Sequence, residues 1–201
     1  MTVMGCAGIE DVAGVDEWVV LLDTQRRPIG SQLKSEVHHA ATPLHLAFSV
    51  HVVDEADNTL LTRRAVTKRT WPGVWSNACC GHPAPGEDLH DAVRRRLASE
   101  LGLVAQSLSL ALADFAYRAR DANGVVENEV CPVFVAQVVG HRPPPVPDVD
   151  EVAEWVWLPR SEATVLAHEH PWLLSPWAVL QLAQLESEGP TTPHGSAWME
   201  R

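Results

Sequence analysis

Several things are scarce in this 201-residue chain, and each scarcity closes off a class of protein. No apolar run approaches the roughly 20 residues that cross a bilayer, and the N-terminus lacks a basic head followed by an apolar core. Neither a membrane span nor a signal peptide is expected. Basic residues are outnumbered, with 15 Lys and Arg against 26 Asp and Glu for a net charge of −11, and there is no basic tail. That balance argues against nucleic acid or a membrane surface as partner, although it leaves room for a local cationic pocket. Four cysteines (Cys6, Cys79, Cys80, Cys131) form no CxxC pair, and a bridge between adjacent Cys79 and Cys80 would be strained. Reduced thiols and a cytoplasmic location are the expectation. No internal repeat is visible. What remains is 46% hydrophobic, enough for one sizeable domain.

Residues 1–16 are small and acidic without periodicity and are expected to form a flexible leader, with a single domain over 17–188 and a flexible tail over 189–201. Trp18 to Leu22 reads as a first strand, closed by the turn-like DTQRRPIG. From His45 the alternation places Leu46, Phe48, Val50 and Val52 on one face and His45, Ala47, Ser49 and His51 on the other, as in a half-buried strand. Asp54 to Asn58 turns it back into Thr59 to Thr62. Further strands are expected in Leu108 to Tyr117, in Val130 to Val139 and around Trp155 to Leu158, and helices near Ser161 to Ala167 and Pro176 to Leu185. Pro143 to Pro147 is too proline-dense for a helix and reads as a connection. Mixed strands and helices of this kind predict an α/β or α+β fold, a mixed sheet sandwiched between helices.

The stretch that organises the chain is Asn77 to Leu103, NACCGHPAPGEDLHDAVRRRLASELGL. Its Gly- and Pro-rich start must be a loop, while Leu89, Val93, Leu97 and Leu101 recur on one helical face. Glu87 and Asp88 suit the helix N-terminus, and Gly102 the stop. The spacing of Gly81, Glu87, Arg95, Leu97, Glu100, Gly102 and Leu103 resembles the Nudix box, a loop-helix module of diphosphate chemistry. Two positions depart from its hydrolytic form: the pairs Arg-Glu and Glu-Glu read Arg95-Arg96 and Ser99-Glu100. One acid can hold one divalent ion beside a diphosphate, but not the cluster that activates water. Arg96 in place of an acid points to holding phosphate, not cleaving it.

Three histidines and two acids raise the question of a metal. His38 and His45 flank a segment containing Pro43, His82 lies in the central loop, and Glu127 and Glu129 share a strand face because side chains alternate. Three imidazoles and two carboxylates suit five- or six-coordinate Zn²⁺, Mn²⁺ or Mg²⁺ better than a closed structural zinc site. His39 is an alternative to His38, and His51 reads as an ordinary core or surface residue. Trp177 and Trp172, taken alone, read as core.

Four strings together carry a more specific resemblance: PLHLAFSV (Pro43 to Val50), TRRAVTKRTWPGVWSNACCGHP (Thr62 to Pro83), YRARDANGVVENEVCPVF (Tyr117 to Phe134) and SPW (Ser175 to Trp177). Over about Val19 to Gln184 the chain is similar to type I isopentenyl-diphosphate isomerases, a family with a Nudix-like fold. The resemblance implies interconversion of isopentenyl and dimethylallyl diphosphate through a tertiary carbocation, in isoprenoid supply. It implies Cys80 and Glu129 as the acid-base pair, Tyr117 and Trp177 as aromatic residues near the reacting carbons, and Lys34, Arg64, Lys68 and Arg96 as diphosphate contacts. It also implies one divalent ion (Mn, Zn or Mg) on His38, His45, His82, Glu127 and Glu129, and one Mg²⁺ associated with Glu100 and bridged to the substrate. The partner expected is then a small isoprenyl diphosphate. A carbocation must be kept from water, so the eight tryptophans are expected to line or lid a dry cleft. The rival functions are a Nudix-type diphosphate hydrolase and a non-catalytic prenyl-diphosphate binding module.

Overall fold

The computed structural model describes residues 17–188; the expected leader and tail lie outside them. In chain order the elements are β1 (Trp18–Leu22), β2 (Pro28–Leu33), α1 (Lys34–Val37), β3 (His45–Leu46), β4 (Phe48–Val53), β5 (Asn58–Arg64), β6 (Trp75–Ser76) and β7 (Cys79–Gly81). There follow α2 (Leu89–Leu101), β8 (Ser107–Leu112), β9 (Ala116–Arg120), β10 (Val126–Val130), β11 (Val133–Gln137), β12 (Val152–Pro159), α3 (Arg160–Glu169), a 3-10 turn at Pro171–Leu173, and α4 (Pro176–Glu188). The class is α/β, as expected, but the mixed sheet is divided in two. One sheet has the order β2-β1-β3-β10-β9, and the other β12-β5-β4-β11-β8, with β6 on β5 and β7 on β4. Among the described residues no helix is long and apolar enough to cross a membrane.

Two chain segments pass from one sheet into the other side by side, and their crossing makes the site. β3 runs through Ala47 into β4, and β10 runs through Cys131-Pro132 into β11. The two are parallel partners on both sides of the bend, with Glu129 opposite His45 and Val133 opposite Ser49. Pro132 has no N–H to give to a ladder, so the apolar run expected as one strand from Val130 to Val139 breaks there. Backbone bonds bridge the break, from Ala47 N to Val130 O (2.9 Å) and from Ser49 N to Pro132 O (3.0 Å).

The expected half-buried strand is in fact buried on both faces. Phe48, Val50 and Val52 pack under α2 with Leu97, Leu101 and Phe134, while Ser49 and His51 lie beneath α4 and are buried as well. A strand covered on both faces hides its polar residues too, which alternation alone does not reveal. The DTQRRPIG segment also holds more than a turn, since its Pro28 opens β2, the antiparallel partner of β1.

The helix of the central stretch is delimited as its residues dictate. Asp88 caps it, accepting from His90 N (2.8 Å) and Asp91 N (3.3 Å), and Gly102 ends it in the left-handed region at φ 61°. Glu87 stays in the loop, where it accepts from Ala84 N and pairs with Arg95. Gly81 sets how closely this loop approaches the helix: a Cβ there would sit 2.8 Å from Phe48 Cζ and 2.9 Å from Arg96 Cγ. Any side chain at Gly81 would push Arg96 aside. The buried face of α2 is not wholly apolar, because Arg96 and Glu100 lie on it beside Val93, Leu97 and Leu101.

Candidate active site

The bend between the sheets, the loop carrying β7, and α2 enclose a cavity of about 440 Å³. Its walls include Cys80, His82, Glu127, Glu129, Tyr117 and Trp177 together with Lys34, Arg64, Lys68 and Arg96. These residues come from separate parts of the chain, and the fold assembles them around one cavity.

At the inner end three imidazoles face one another, with ring centroids 5.1 Å (His38 to His45), 5.6 Å (His38 to His82) and 5.2 Å (His45 to His82) apart. Donor atoms of His38, His45, His82 and Glu129 all lie within 4.8 Å of one another. Glu129 Oε1 is 3.4 Å from Nε2 of both His45 and His82. Glu127 stands against His38, 3.1 Å from its Nε2, and falls outside that group of four. His39 is exposed and its Nδ1 accepts from Ala41 N, so the choice between His38 and His39 falls to His38.

The hydrogen bonding of this cluster fits a cation. His45 Nδ1 must donate to the Pro43 carbonyl (2.9 Å), which leaves the Nε2 lone pair directed at Glu129. Nε2 of His38 and His45, both ring nitrogens of His82 and Oε2 of Glu127 are buried without a hydrogen-bond partner. Burial brings the His82 imidazole down to about 3, so that it is neutral with a lone pair to give. Against the cost of burial, the neighbouring His45 and His82 imidazoles hold the Glu129 carboxyl well below the usual carboxylate range. Neutral imidazole beside an ionised carboxylate is the donor set that a divalent ion takes.

Beside the cluster lie the expected proton carriers. Cys80 Sγ is 3.3 Å from Ser49 Oγ and 3.4 Å from Asn77 Nδ2. Burial pushes the Cys80 thiol up to about 11, with the Ser49 and Asn77 bonds opposing, so it stands as a protonated thiol at neutral pH. Burial, then Glu129 and Glu127, raise the Tyr117 phenol well above its ordinary range. Trp177 is 1% exposed, donates Nε1–H to Asn77 Oδ1 (3.0 Å), and has its ring centroid 5.5 Å from that of Tyr117. Among the described residues Trp177 is the only tryptophan on the cavity wall, with Trp71 packed edge-on against it at 5.3 Å. The expected tryptophan lining is thus a single ring and its support. Trp157 belongs to the core under α2, and Trp172 is 73% exposed, not core. Cys79 is buried in that same core and makes no approach to the cavity.

The cations line the outer part of the cavity. Arg64 is fixed by Thr70, donating to its carbonyl (3.1 and 2.8 Å) and its hydroxyl (2.9 Å), with its guanidinium 5.4 Å over the Trp177 ring. Lys34 pairs with Glu17 and Lys68 with Glu151. Arg96 meets three carboxylates: Glu100, Glu17 (3.1 Å) and Glu151 (3.3 Å). Burial would discourage its charge, but those three acids hold it cationic. Against burial, Lys68 and Arg96 bring Glu151 down to about 2. Glu100 stands just behind the cavity wall: it is 4% exposed, bound to Arg96, and lines a small adjoining hollow with Arg64, Lys68, Cys80 and Glu151.

Residues that the sequence did not single out complete the site. Asn77 joins Cys80 to Trp177, Ser49 touches Cys80, Gln181 reaches Ser49, and Glu17 and Glu151 hold the cations. Asn77, three positions from Cys80 and inside the central stretch, had a local signal; the others work through partners 17 or more positions away.

A NUDIX domain model matches residues 43–178, and the chain thus falls in the Nudix class. The fold agrees: DR0079 of Deinococcus radiodurans superposes with a TM-score of 0.63 at 13% identity, over 84% of this chain and 99% of that one. The isopentenyl-diphosphate Delta-isomerase of Mycolicibacterium vanbaalenii is 56% identical over 86% of this chain and 93% of its own length. That of Frankia alni is 55% identical over 84% and 85%. The chain belongs to the isopentenyl-diphosphate Delta-isomerase family.

Proposed function

We propose that the chain interconverts isopentenyl diphosphate and dimethylallyl diphosphate. One observation carries this reading: a thiol, a buried carboxylate, a phenol and an indole share a single cavity with five cationic side chains, Lys34, Arg64, Lys68, Arg69 and Arg96. Shifting the double bond requires a proton on the terminal methylene of isopentenyl diphosphate, a tertiary carbocation, and loss of a proton from the carbon next to the one bearing the diphosphate. Cys80 and Glu129 are the two groups that exchange these protons, with Tyr117 beside Glu129. Trp177 presents its π face to the cation, worth about 2 kcal/mol when desolvated. The diphosphate is a handle: Lys34, Arg64, Lys68 and Arg96 fix it and so orient the alkene.

His38, His45, His82 and Glu129, with Glu127 behind His38, are the proposed ligands of one divalent ion, Mn²⁺, Zn²⁺ or Mg²⁺. Bound there, the ion would hold Glu129 in place and stabilise its negative charge. Glu100, paired with Arg96 through one oxygen in this structure, would be the residue to hold a Mg²⁺ beside the substrate, where the ion would help neutralise the diphosphate charge.

The test is proton NMR of the protein with isopentenyl diphosphate and Mg²⁺ in D₂O. Appearance of the dimethylallyl isomer carrying deuterium is the expected result. Release of free phosphate without isomer would instead favour hydrolysis, which Arg96 and Ser99 oppose, and binding without either product would favour a binding module.

A further inference from the structure

Cys80 is held from behind by a chain of buried side chains that ends far from the substrate cavity. His51 Nε2 lies 3.0 Å from Gln181 Oε1, Gln181 Nε2 donates to Ser49 Oγ (2.9 Å), and Ser49 Oγ is 3.3 Å from Cys80 Sγ. His51, Gln181 and Ser49 are 3%, 0% and 0% exposed, so water does not compete for these bonds. The chain has a direction. An amide oxygen only accepts, so His51 donates its Nε2–H to Gln181. Gln181 then donates to the Ser49 oxygen, and the Ser49 hydrogen is left to point at sulfur.

Two sulfurs compete for that hydrogen, Cys80 and Cys131, both 3.3 Å from Ser49 Oγ. Asn77 approaches Cys80 through Nδ2 (3.4 Å) and through Oδ1, an acceptor 3.5 Å from the sulfur, but that oxygen already accepts from Trp177 Nε1 (3.0 Å) and from the Ser76 hydroxyl (2.9 Å). On its protein side the Cys80 sulfur is thus met by the Ser49 hydroxyl, because the Asn77 amide hydrogens go mainly to the Val50 and Cys79 carbonyls (3.1 and 2.8 Å). The Asn77 oxygen, which already takes two shorter hydrogen bonds, is a poor acceptor for the Cys80 S–H, which is left to turn towards the cavity.

We propose that Gln181 and Ser49 are positioning residues that aim the Cys80 proton at the substrate. The role rests on the proposed isomerase chemistry, but the geometry does not require it. Loss of the chain should lower the chemical step while leaving the diphosphate contacts alone, since neither residue lines the cavity.

The experiment compares Ser49→Ala, Gln181→Leu, Gln181→Glu and Ser49→Thr with wild type. Ser49→Ala and Gln181→Leu should each lower kcat on the order of 10- to 100-fold with KM within about twofold, and the double variant should fall no further than the worse single one, because the residues act in series. Ser49→Thr, which keeps the hydroxyl, should restore kcat to within about threefold. Gln181→Glu replaces the donor facing Ser49 by an acceptor and should behave like Ser49→Ala; wild-type kcat in that variant would mean that the chain runs the other way and would overturn the proposal. So would an unchanged kcat in Ser49→Ala, or a loss shared equally by Ser49→Ala and Ser49→Thr in variants that melt within a few degrees of wild type. If wild type itself makes no isomer, the activity reading fails separately, and alkylation of Cys80 by iodoacetamide at one fixed pH, followed by peptide mass spectrometry, still reads the positioning. Its rate should change at least threefold in Ser49→Ala and recover in Ser49→Thr; equal rates in all three proteins would reject it.

Discussion

At the inner end of the cavity His38, His45 and His82 keep ring nitrogens that no hydrogen bond satisfies, whereas at the outer end Lys34, Lys68 and Arg96 are each already closed on a carboxylate. Both ends bury polar groups, and burial is costly unless a partner is present. The inner end leaves its lone pairs for a cation from outside. The outer end supplies its own anions, which an arriving diphosphate must displace or share. A third environment, on β4, shows a buried histidine that is no ligand: His51 is just as buried, but its Nε2 pairs with Gln181, and burial brings it down to about 4. Burial alone does not mark a ligand; burial with lone pairs converging on one point does.

The comparison is broken most forcefully at the inner end. Cys80→Ala and Glu129→Gln should each reduce isomer formation in the NMR assay by about 10³- to 10⁴-fold, the upper range of a positioned acid or base. Retention within tenfold would remove these residues from the proton transfers. Next in size is Arg96→Met, which leaves Glu100 buried without its partner and should destabilise the fold by about 3–5 kcal/mol in urea titrations. The double change Arg96→Met with Glu100→Leu should recover most of that stability yet still bind isopentenyl diphosphate poorly. If it binds normally, the outer end is a structural network and not an anion site.

Chelation sharpens the contrast from the other side. Removing divalent ions, or making His82→Ala, should lower turnover on the order of 100-fold, with one ion per chain lost by elemental analysis. Wild type should also melt at a lower temperature after chelation, because an ion that binds only the folded chain stabilises it. An identical melt with no ion recovered would mean that the lone pairs face nothing.

The smallest effect belongs to Glu151. Its folded value of about 2 lies below the ordinary 4.5, so its contribution is fully present above pH 4.5 and is lost as pH falls from 4.5 to 2. The shift amounts to at most about 3 kcal/mol, less after solvent screening. Glu151→Gln should flatten the stability profile of wild type over that window in urea midpoints; parallel profiles would show that Lys68 and Arg96 do not depend on Glu151.

Much of this was legible because the signals were local. β1 spans the expected Trp18 to Leu22, and α2 begins after Asp88 and ends at Gly102 as its cap residues require. Most residues nominated for the site, from Lys34 to Trp177, line one cavity, with His45 behind it in the histidine cluster and Glu100 in the adjoining hollow. What failed failed for want of a local signal. A tryptophan count says nothing about which rings face a cavity, and only Trp177 does among the described residues. Alternation could not show that β4 is covered on both faces, since the cover comes from α2 and α4, which begin 36 or more residues further along the chain.

By itself the sequence determined the chemistry on offer: which thiol precedes Gly81, which acids alternate on β10, where a helix must start and stop, and which acids of the hydrolytic pattern are replaced by Arg96 and Ser99. Residue type, spacing and backbone preference act over a few positions and can be read in one dimension. Only the tertiary structure decided that His38 and not His39 joins the cluster, that Glu100 is occupied by Arg96, and that Gln181 reaches Ser49 across 132 positions to stand behind Cys80. Those outcomes depend on the bend that carries two parallel strands from one sheet to the other, and on how tightly Gly81 lets the loop approach α2. Packing fixes distances that no spacing along the chain can encode.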